Sequence, residues 1–198
     1  MNEDLRMELM NMSSKDQHVR EELAADGSLF EGYHPRMLEV HQRNGKRLAE
    51  VIDQYGWPRK SLVGEDGAEA AWLILQHDIS NPTLQRRCLP LLEAAAKAGE
   101  VPLWQPAYLL DRIRCNEGKS QVYGTQFDWD RHGQMSPLPV EDIEHVDERR
   151  AAVGMGPLEE DIQKRRIAIA QTNEKPPADW HARQKAIEEW ACSVGWRD

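Results

Sequence analysis

The sequence predicts a mainly α-helical fold, either a helical bundle or a stack of α-hairpins. Two observations predict helices: apolar residues recur at three- and four-residue spacing along most of the chain, and helix-starting and helix-ending signals leave short loops between these segments. A third observation limits the β content. Alternating segments and the turn signal Asp130-Arg131-His132-Gly133 occur near residues 119–139, where we expect a short β-hairpin-like segment or an extended loop.

The helices are predicted in order along the chain. The first runs from about Glu3 to Ala24, and the second begins near Pro35 and ends before Gly56. Asn81 and Pro82 provide an N-cap and a first-position proline for the fourth helix. The other predicted helices cover residues 65–79, 82–98, 104–116, 140–153, 158–171 and 178–194. We interpret residues 1–158 as a helical domain and 159–198 as a C-terminal helical extension.

Composition and charge exclude several classes of protein. Among 198 residues, 40% are hydrophobic and 30% charged, which is typical of a globular chain. A net charge of −9 repels a phosphate backbone, so we expect no general nucleic-acid binding. Three widely spaced cysteines indicate free thiols in a reducing compartment. Neither a signal peptide nor an apolar run of about 20 residues is evident, so we expect a cytoplasmic protein without a membrane span.

Polar residues interrupt the apolar faces of three consecutive predicted helices. Asp16 fills a gap in the apolar stripe of the first helix, with Arg20 one turn later, where the two can pair. His41 and Asn44 occupy missing steps of the stripe on the second helix, and His77 extends the apolar face of the third. An unpaired polar group costs roughly 1–3 kcal/mol to bury, so we expect these side chains to meet. The resulting cluster is either a ligand or catalytic site or a structural network.

Many of these residues lie in segments that resemble a bacterial family of unknown function, DUF6624. The resemblance covers roughly Leu9 to Leu158. It rests on these motifs: Asp16-Gln17 with Arg20, Gly56-Trp57-Pro58, Val63-Gly64, Ala71-Trp72-Leu73, Gln76-His77-Asp78, Tyr108-Leu109-Leu110-Asp111-Arg112, Gln121-Val122-Tyr123-Gly124-Thr125-Gln126, Val146-Asp147, Arg149-Arg150 and Gly154-Met155-Gly156-Pro157. The helix after Thr172 is an addition to this pattern.

The resemblance implies no particular activity, but it extends the candidate site. Taken alone, Asp111 and Arg112 are typical of an exposed salt-bridging pair, and the resemblance adds them to the cluster. It also adds Tyr123 to Gln126, where Gly124 allows a turn or the close approach of a ligand. A hairpin that caps the helices is the alternative interpretation of that segment.

The candidate residues are typical of acid/base chemistry. P-loop, GxGxxG, GxSxG and HExxH motifs are absent from the sequence. We therefore expect an enzyme for hydrolysis or group transfer on a small polar or anionic molecule. The candidate catalytic residues are His77, Asp16 and Asp111, and the candidate substrate-binding residues are Arg20, His41, Asn44, Gln76, Arg112, Tyr123, Thr125 and Gln126.

Two alternatives stay open. No cofactor is favoured and no metal ligand is assigned, although a divalent metal bound by His41, His77 and Asp16 is a variant of the same site. A non-catalytic helical binding or interaction protein, with a structural polar cluster, is the second alternative. Its candidate partner surface is the tryptophan-rich C-terminal helix, with Trp180 and Trp190, and Trp196 just beyond it; packing of these rings within the protein would remove that surface.

Overall fold

The computed structural model describes residues 1–30, 32–172 and 174–198. Its fold is mainly α-helical with a short β-hairpin, as the sequence predicted. The helices are α1 (Glu3–Asp26), α2 (Pro35–Tyr55), α3 (Lys60–His77), α4 (Pro82–Lys97), α5 (Trp104–Asn116), α6 (Val146–Ala152), α7 (Leu158–Ile169) and α8 (Trp180–Ser193), the strands are β1 (Phe127–Trp129) and β2 (Met135–Pro137), and single 3-10 turns cover Ser28–Phe30 and Ile143–His145. Within the described residues, no helix is both long enough and apolar enough to cross a bilayer.

The chain forms two compact units, residues 1–106 and 107–198. The division lies inside α5, so the boundary predicted between residues 158 and 159 falls within the second unit. Local signals explain most of the helix limits. The Asn81 side chain accepts a hydrogen bond from the backbone N–H of Leu84, and Pro82 occupies the first turn of α4, as predicted.

The first unit is a helical assembly in which α1 packs against α3 and α2. Its core is formed by fully buried aliphatic and aromatic side chains, among them Leu9, Leu48, Val63, Trp72, Leu75 and Leu92. The third helix begins earlier than predicted, because residues 60–63 already form a helical turn. Gly64 then leaves helical geometry with φ 75°, a conformation that glycine adopts without steric cost, before the chain continues to His77.

The second unit contains the β-hairpin and the last three helices. Strands β1 and β2 pair antiparallel, with Asp128 opposite Ser136. The turn between them is held by Asp130, whose carboxylate accepts hydrogen bonds from the backbone N–H groups of His132 and Gln134. Helix α7 packs against β2. The helix predicted over residues 140–153 is shorter than expected, because only 146–152 are α-helical and a 3-10 turn precedes them.

Two of the C-terminal tryptophans, Trp180 and Trp196, pack within the second unit. Trp196 is buried, and the indole N–H of Trp180 donates to the backbone carbonyl of Trp129 at 2.9 Å. Arg183 of α8 pairs with Asp128 of the hairpin at 2.6 Å. These contacts attach α8 to β1, so the aromatic face of this helix contributes to packing within the unit.

Candidate functional site

Asp16 of α1 is the centre of a polar cluster in the first unit. Its side chain is 1% exposed, on a face where α1 packs against α2 and α3. Each carboxylate oxygen lies near a different imidazole: Oδ1 is 2.8 Å from Nδ1 of His77, and Oδ2 is 3.1 Å from Nε2 of His41. The two rings lie 5.4 Å apart, centroid to centroid. Three residues that interrupted three separate apolar stripes therefore meet at one point.

Tyr33 extends the cluster on the far side of His41. Its hydroxyl lies 2.7 Å from Nδ1 of His41. Burial, and next the nearby charge of Asp78, raise the pKa of this phenol, so it keeps its proton at neutral pH. The Tyr33 hydroxyl and His41 Nδ1 share this hydrogen bond, and the tautomer of His41 decides which of the two donates. Sequence analysis missed Tyr33 because it lies between predicted helices, where periodicity carries no information.

The Asp16 carboxyl is held in its ionised form. Burial acts to raise its pKa, but the close contacts with His41 and His77 and the charges of these rings outweigh burial, and the net effect lowers the pKa below the ordinary value of 3.8. An ionised carboxylate between two imidazoles stabilises either ring when that ring is protonated.

Of Asp16, His41 and His77, the last has the most access to solvent. Its side chain is 20% exposed, compared with 8% for His41 and 1% for Asp16. His77 is the last residue of α3, a position at which the helix dipole favours an imidazolium. With Nδ1 directed to Asp16, Nε2 is the ring nitrogen that faces away from this carboxylate.

Asp78 follows His77 and is also buried, but its carboxylate has different hydrogen-bond partners from that of Asp16. Its Oδ1 accepts a hydrogen bond from the hydroxyl of Ser80 at 3.2 Å, whereas Oδ2 has no hydrogen-bond partner within the described part of the chain. Burial raises the pKa of this carboxyl. The carboxylate packs on the backbone of α2 at Gly45, where a Cβ atom would lie 1.9 Å from Oδ2. Gly45 therefore permits the close approach of Asp78 to α2.

Two other predicted residues of the first unit have supporting positions. Asn44 is buried, and its amide donates to the backbone carbonyl of Met12 at 3.3 Å, which connects α2 to α1. Gln76 is partly exposed near the end of α3. A cavity of about 450 Å³ is lined by residues of α2 and by Asp78, Ser80 and Asn81; Asp16, His41 and His77 are not among the described residues that line it.

The predicted pairing of Asp16 with Arg20 was wrong. Arg20 is exposed and makes no ion pair with any residue that the structure describes. Each oxygen of Asp16 instead lies within 3.1 Å of an imidazole nitrogen from another helix. A guanidinium on a long flexible stem reaches water at little cost, whereas the short carboxylate stays on the buried face of α1.

The cluster also has the composition of a metal site. Asp16, His41 and His77 each offer one ligand atom, and these atoms all lie within 4.8 Å of one another. Although Oδ2 of Asp16 and Nε2 of His41 are 3.1 Å apart, neither atom makes a properly directed hydrogen bond within the described residues. Two imidazole nitrogens and a carboxylate oxygen suit a divalent transition metal such as Zn²⁺.

The remaining predicted residues lie in the second unit. Asp111 of α5 is fully buried, and its oxygens accept hydrogen bonds from the backbone N–H groups of Val122, Tyr123 and Thr125 and from the Thr125 hydroxyl, at 2.7–3.1 Å. The exposed Asp111–Arg112 salt bridge that the two residues taken alone indicate is not formed, because Asp111 is buried and bonded to this segment. We therefore interpret Asp111 as an anchor for residues 122–125.

The Tyr-Gly-Thr-Gln segment precedes the hairpin and is itself irregular. Gly124 has φ 71°, and a Cβ atom there would lie 2.8 Å from a methyl group of Leu158. The close approach that this glycine permits is therefore with α7. The Gln126 amide donates to the Thr125 hydroxyl at 3.0 Å. The buried Arg150, which sequence analysis did not select as a site residue, donates to the backbone carbonyl of Tyr123 at 2.8 Å and braces the same segment.

Comparison with known proteins identifies a family but no characterised relative. The model of a family of unknown function, DUF6624, matches residues 3–171, so the chain belongs to this family. Helix α8 lies beyond the match. No curated protein matches the chain, and no solved structure matches it.

Proposed function

We propose that this member of the DUF6624 family is an enzyme that catalyses hydrolysis or group transfer on a small polar or anionic molecule, with His77 as the general acid/base. The observation that carries the proposal is the pairing of His77 Nδ1 with the buried, ionised carboxylate of Asp16 at 2.8 Å. A carboxylate in this position holds one tautomer of the ring and stabilises the imidazolium that forms when the ring accepts a proton.

Each member of the cluster has a defined role in this mechanism. Nε2 of His77 removes a proton from water or from a substrate hydroxyl, and later returns it to the leaving group. Asp16 orients His77 and balances its charge. His41, in contact with the Tyr33 hydroxyl at 2.7 Å, places Nε2 3.1 Å from the second oxygen of Asp16. General acid–base catalysis of this kind contributes about 10²–10⁴-fold to a rate.

The three cysteines are free in the structure, which supports the accompanying proposal of a reducing compartment such as the cytoplasm.

A screen that needs no knowledge of the substrate tests the proposal. The protein is assayed against a panel of chromogenic phosphate, ester and amide substrates and against a metabolite library by thermal shift, with His77→Gln and the control His18→Gln measured in parallel. The His18 side chain is 73% exposed to solvent, so His18→Gln serves as a control substitution at the surface. We expect turnover by the unmodified protein and by His18→Gln, and a loss of about 10²-fold or more in His77→Gln.

The outcome also separates the enzyme from a binding or interaction protein. A ligand that raises the melting temperature without turnover supports a non-catalytic binding protein. Activity that survives in a folded His77→Gln variant contradicts the assigned role. If neither turnover nor any thermal shift is found, the polar cluster is a structural network.

A metal-dependent hydrolase is the second candidate, favoured by the misdirected contact between Asp16 Oδ2 and His41 Nε2. A divalent ion bound by Asp16, His41 and His77 would activate water in place of the His77 imidazole. Calorimetric titration of metal-free protein with Zn²⁺ or Mn²⁺ distinguishes the two. Binding that is lost in His41→Gln supports the metal-dependent version, whereas full activity in the presence of a chelator supports the metal-free one.

A further inference from the structure

A second cavity of the first unit, of about 470 Å³, has no part in the reaction assigned to His77. It is lined by residues of α3 and of the segment that leads from α4 into the start of α5. Its lining combines buried and exposed residues, among them the buried Ala68, Val101 and Gln105 and the exposed Lys60, Glu65 and Glu69. The cavity is therefore open to solvent, and its volume is typical of a small-molecule site.

This cavity is separate from the polar cluster around Asp16. Glu65 lies near the start of α3 and His77 at its end, roughly 18 Å apart along the helix axis at about 1.5 Å per residue. A small molecule bound beside Glu65 does not reach His77, so its binding can be measured apart from any reaction.

Glu65 and Glu69 place two carboxylates beside each other at the exposed part of the cavity. They lie four residues apart on α3, so their side chains are neighbours on one face of the helix, where like charges repel each other. Neither makes an ion pair with any residue in the described ranges, although both line the cavity. A cation bound between them would relieve this repulsion.

The positive charge near the cavity acts on a third carboxylate, that of Glu100. Hydrogen bonding from the backbone N–H of Ser61, at 2.9 Å, lowers the pKa of Glu100, and the charges of Arg59 and Lys60 act in the same direction. Among the described residues that line the cavity there are three carboxylates and one ammonium group. The site therefore has an excess of negative charge.

Gln105 adds an unused hydrogen-bonding group to the lining. The residue is 3% exposed, and its Oε1 is buried without a hydrogen-bond partner within the described residues. A buried amide that lacks a partner is costly. Rotation about the last side-chain bond exchanges the two ends of the amide, so either its oxygen or its nitrogen can be directed to a ligand in the cavity.

Trp104 provides an aromatic wall beside these polar groups. Its ring packs edge to face with that of the buried Trp72, with a centroid distance of 5.8 Å and an angle of 81° between the rings. This contact fixes the orientation of the indole that lines the cavity. The face of a tryptophan ring attracts cations more strongly than that of any other side chain.

We propose that this cavity binds the ammonium group of a small organic cation. Glu65 and Glu69 pair with its positive charge, the Gln105 amide accepts a hydrogen bond from it, and Trp104 covers its alkyl part. The excess of carboxylates disfavours an anion, and the apolar lining by Ala68, Val101 and Trp104 favours a ligand that contains carbon over a bare metal ion. The proposal does not depend on the reaction assigned to His77.

Calorimetric titration of the full chain with 1,4-diaminobutane, and separately with choline, tests the site at constant ionic strength. We expect saturable one-site binding of at least one of these cations, and no binding of 1,4-butanediol, which has the length of the diamine without its charge. Glu65→Gln combined with Glu69→Gln should weaken binding by about tenfold. Glu39→Gln combined with Glu93→Gln is the matched control, since it changes the net charge equally at two exposed positions outside the described lining of the cavity.

Substitutions at Gln105 and Trp104 separate a ligand site from a structural role. Without added cation, Gln105→Leu should melt at the same temperature as the unmodified protein or higher, because it removes an amide that has no partner. The same variant should bind diaminobutane about threefold or more weakly. Trp104→Phe, which keeps an aromatic ring with a weaker attraction for cations, should weaken the binding of choline in a folded protein.

The proposal is overturned if neither cation binds, if butanediol binds as strongly as the diamine, or if the control pair weakens binding as much as Glu65→Gln with Glu69→Gln. Unchanged binding in the folded Glu65→Gln and Glu69→Gln double variant overturns it as well. Stronger binding of diaminobutane than of choline would support hydrogen bonds from the ammonium group as the main attraction, and the reverse order would support the ring of Trp104.

Discussion

Asp16 and His77 are joined by a contact of 2.8 Å between Oδ1 and Nδ1, although 61 positions separate them in the sequence. The contact exists because α1 packs along α3, and it determines which ring nitrogen of His77 faces Asp16. The same carboxylate holds His41 through its other oxygen. The consequences of this arrangement can be measured without knowledge of the substrate.

The first prediction concerns the charge of Asp16. Asp16→Asn should lower the free energy of unfolding by about 1–3 kcal/mol at pH 7, because the imidazoles lose a charged acceptor. Glu21→Gln, an exposed substitution on the same helix, should have little effect. Urea denaturation measures both.

The effect of Asp16→Asn should depend on pH. The pKa of Asp16 is lower in the folded protein than its ordinary value of 3.8, so the carboxylate stabilises the fold above that value and loses this contribution as the pH falls further. The difference between the unmodified protein and Asp16→Asn should therefore narrow as the pH is lowered from 5 toward 3. A difference that stays constant over this range would contradict the lowered pKa.

The second prediction concerns the approach of Asp78 to Gly45. A Cβ atom at position 45 would lie 1.9 Å from Oδ2 and 2.7 Å from Cγ of Asp78, so Gly45→Ala should lower the free energy of unfolding by about 1–3 kcal/mol. With Asp78→Ala as the background, the same change should become neutral or stabilising, because alanine favours helices over glycine by about 1 kcal/mol. A double-mutant cycle measures this reversal, and additive effects would argue against the clash.

The third prediction concerns Asp111 as an anchor. Asp111→Asn places an amide N–H donor opposite the backbone N–H groups and the Thr125 hydroxyl that now donate to the carboxylate. It should therefore lower the free energy of unfolding by about 2–3 kcal/mol. Hydrogen exchange should accelerate at the backbone amides of Val122, Tyr123 and Thr125, which donate to Asp111. Glu148→Gln, an exposed change on α6, is the control. Unchanged exchange at these three amides would show that the segment does not depend on Asp111.

The fourth prediction concerns thiol reactivity. Burial raises the pKa of Cys88 and of Cys115 to about 12 each. Since the thiolate is the reactive form, on the order of 0.03% of each would be ionised at pH 8.5. Iodoacetamide should therefore modify the partly exposed Cys192 first in the folded protein, as mass spectrometry of tryptic peptides would show. Rapid labelling of Cys88 without unfolding would be the opposite result.

Helical limits follow closely from the sequence, because helix signals are local. The predicted span of α5 agrees with the structure at both ends, and the start of α4 agrees at Asn81 and Pro82. Periodicity also placed Asp16, His41 and His77 on inward faces, since three- and four-residue spacing determines which side of a helix a residue occupies. The existence of a polar cluster was therefore predictable.

Partners within the cluster were less predictable. Arg20 and both histidines were reasonable partners for Asp16, and the sequence did not choose between them. Tyr33 could not be predicted as a member of the cluster, because it lies in an irregular segment where apolar residues have no regular spacing. Asp111 and Arg112 are adjacent, yet the first is fully buried and anchors a loop, while the second makes no ion pair within the described residues.

The sequence by itself determined the helices, their inward faces and the titratable residues on them. The tertiary structure decided which oxygen of Asp16 faces which imidazole, and which guanidinium is left unpaired. The physical reason is distance along the chain. Helix formation depends on hydrogen bonds four residues apart, whereas the Asp16–His77 and Thr125–Arg165 contacts depend on how helices and loops 40 or more residues apart pack together.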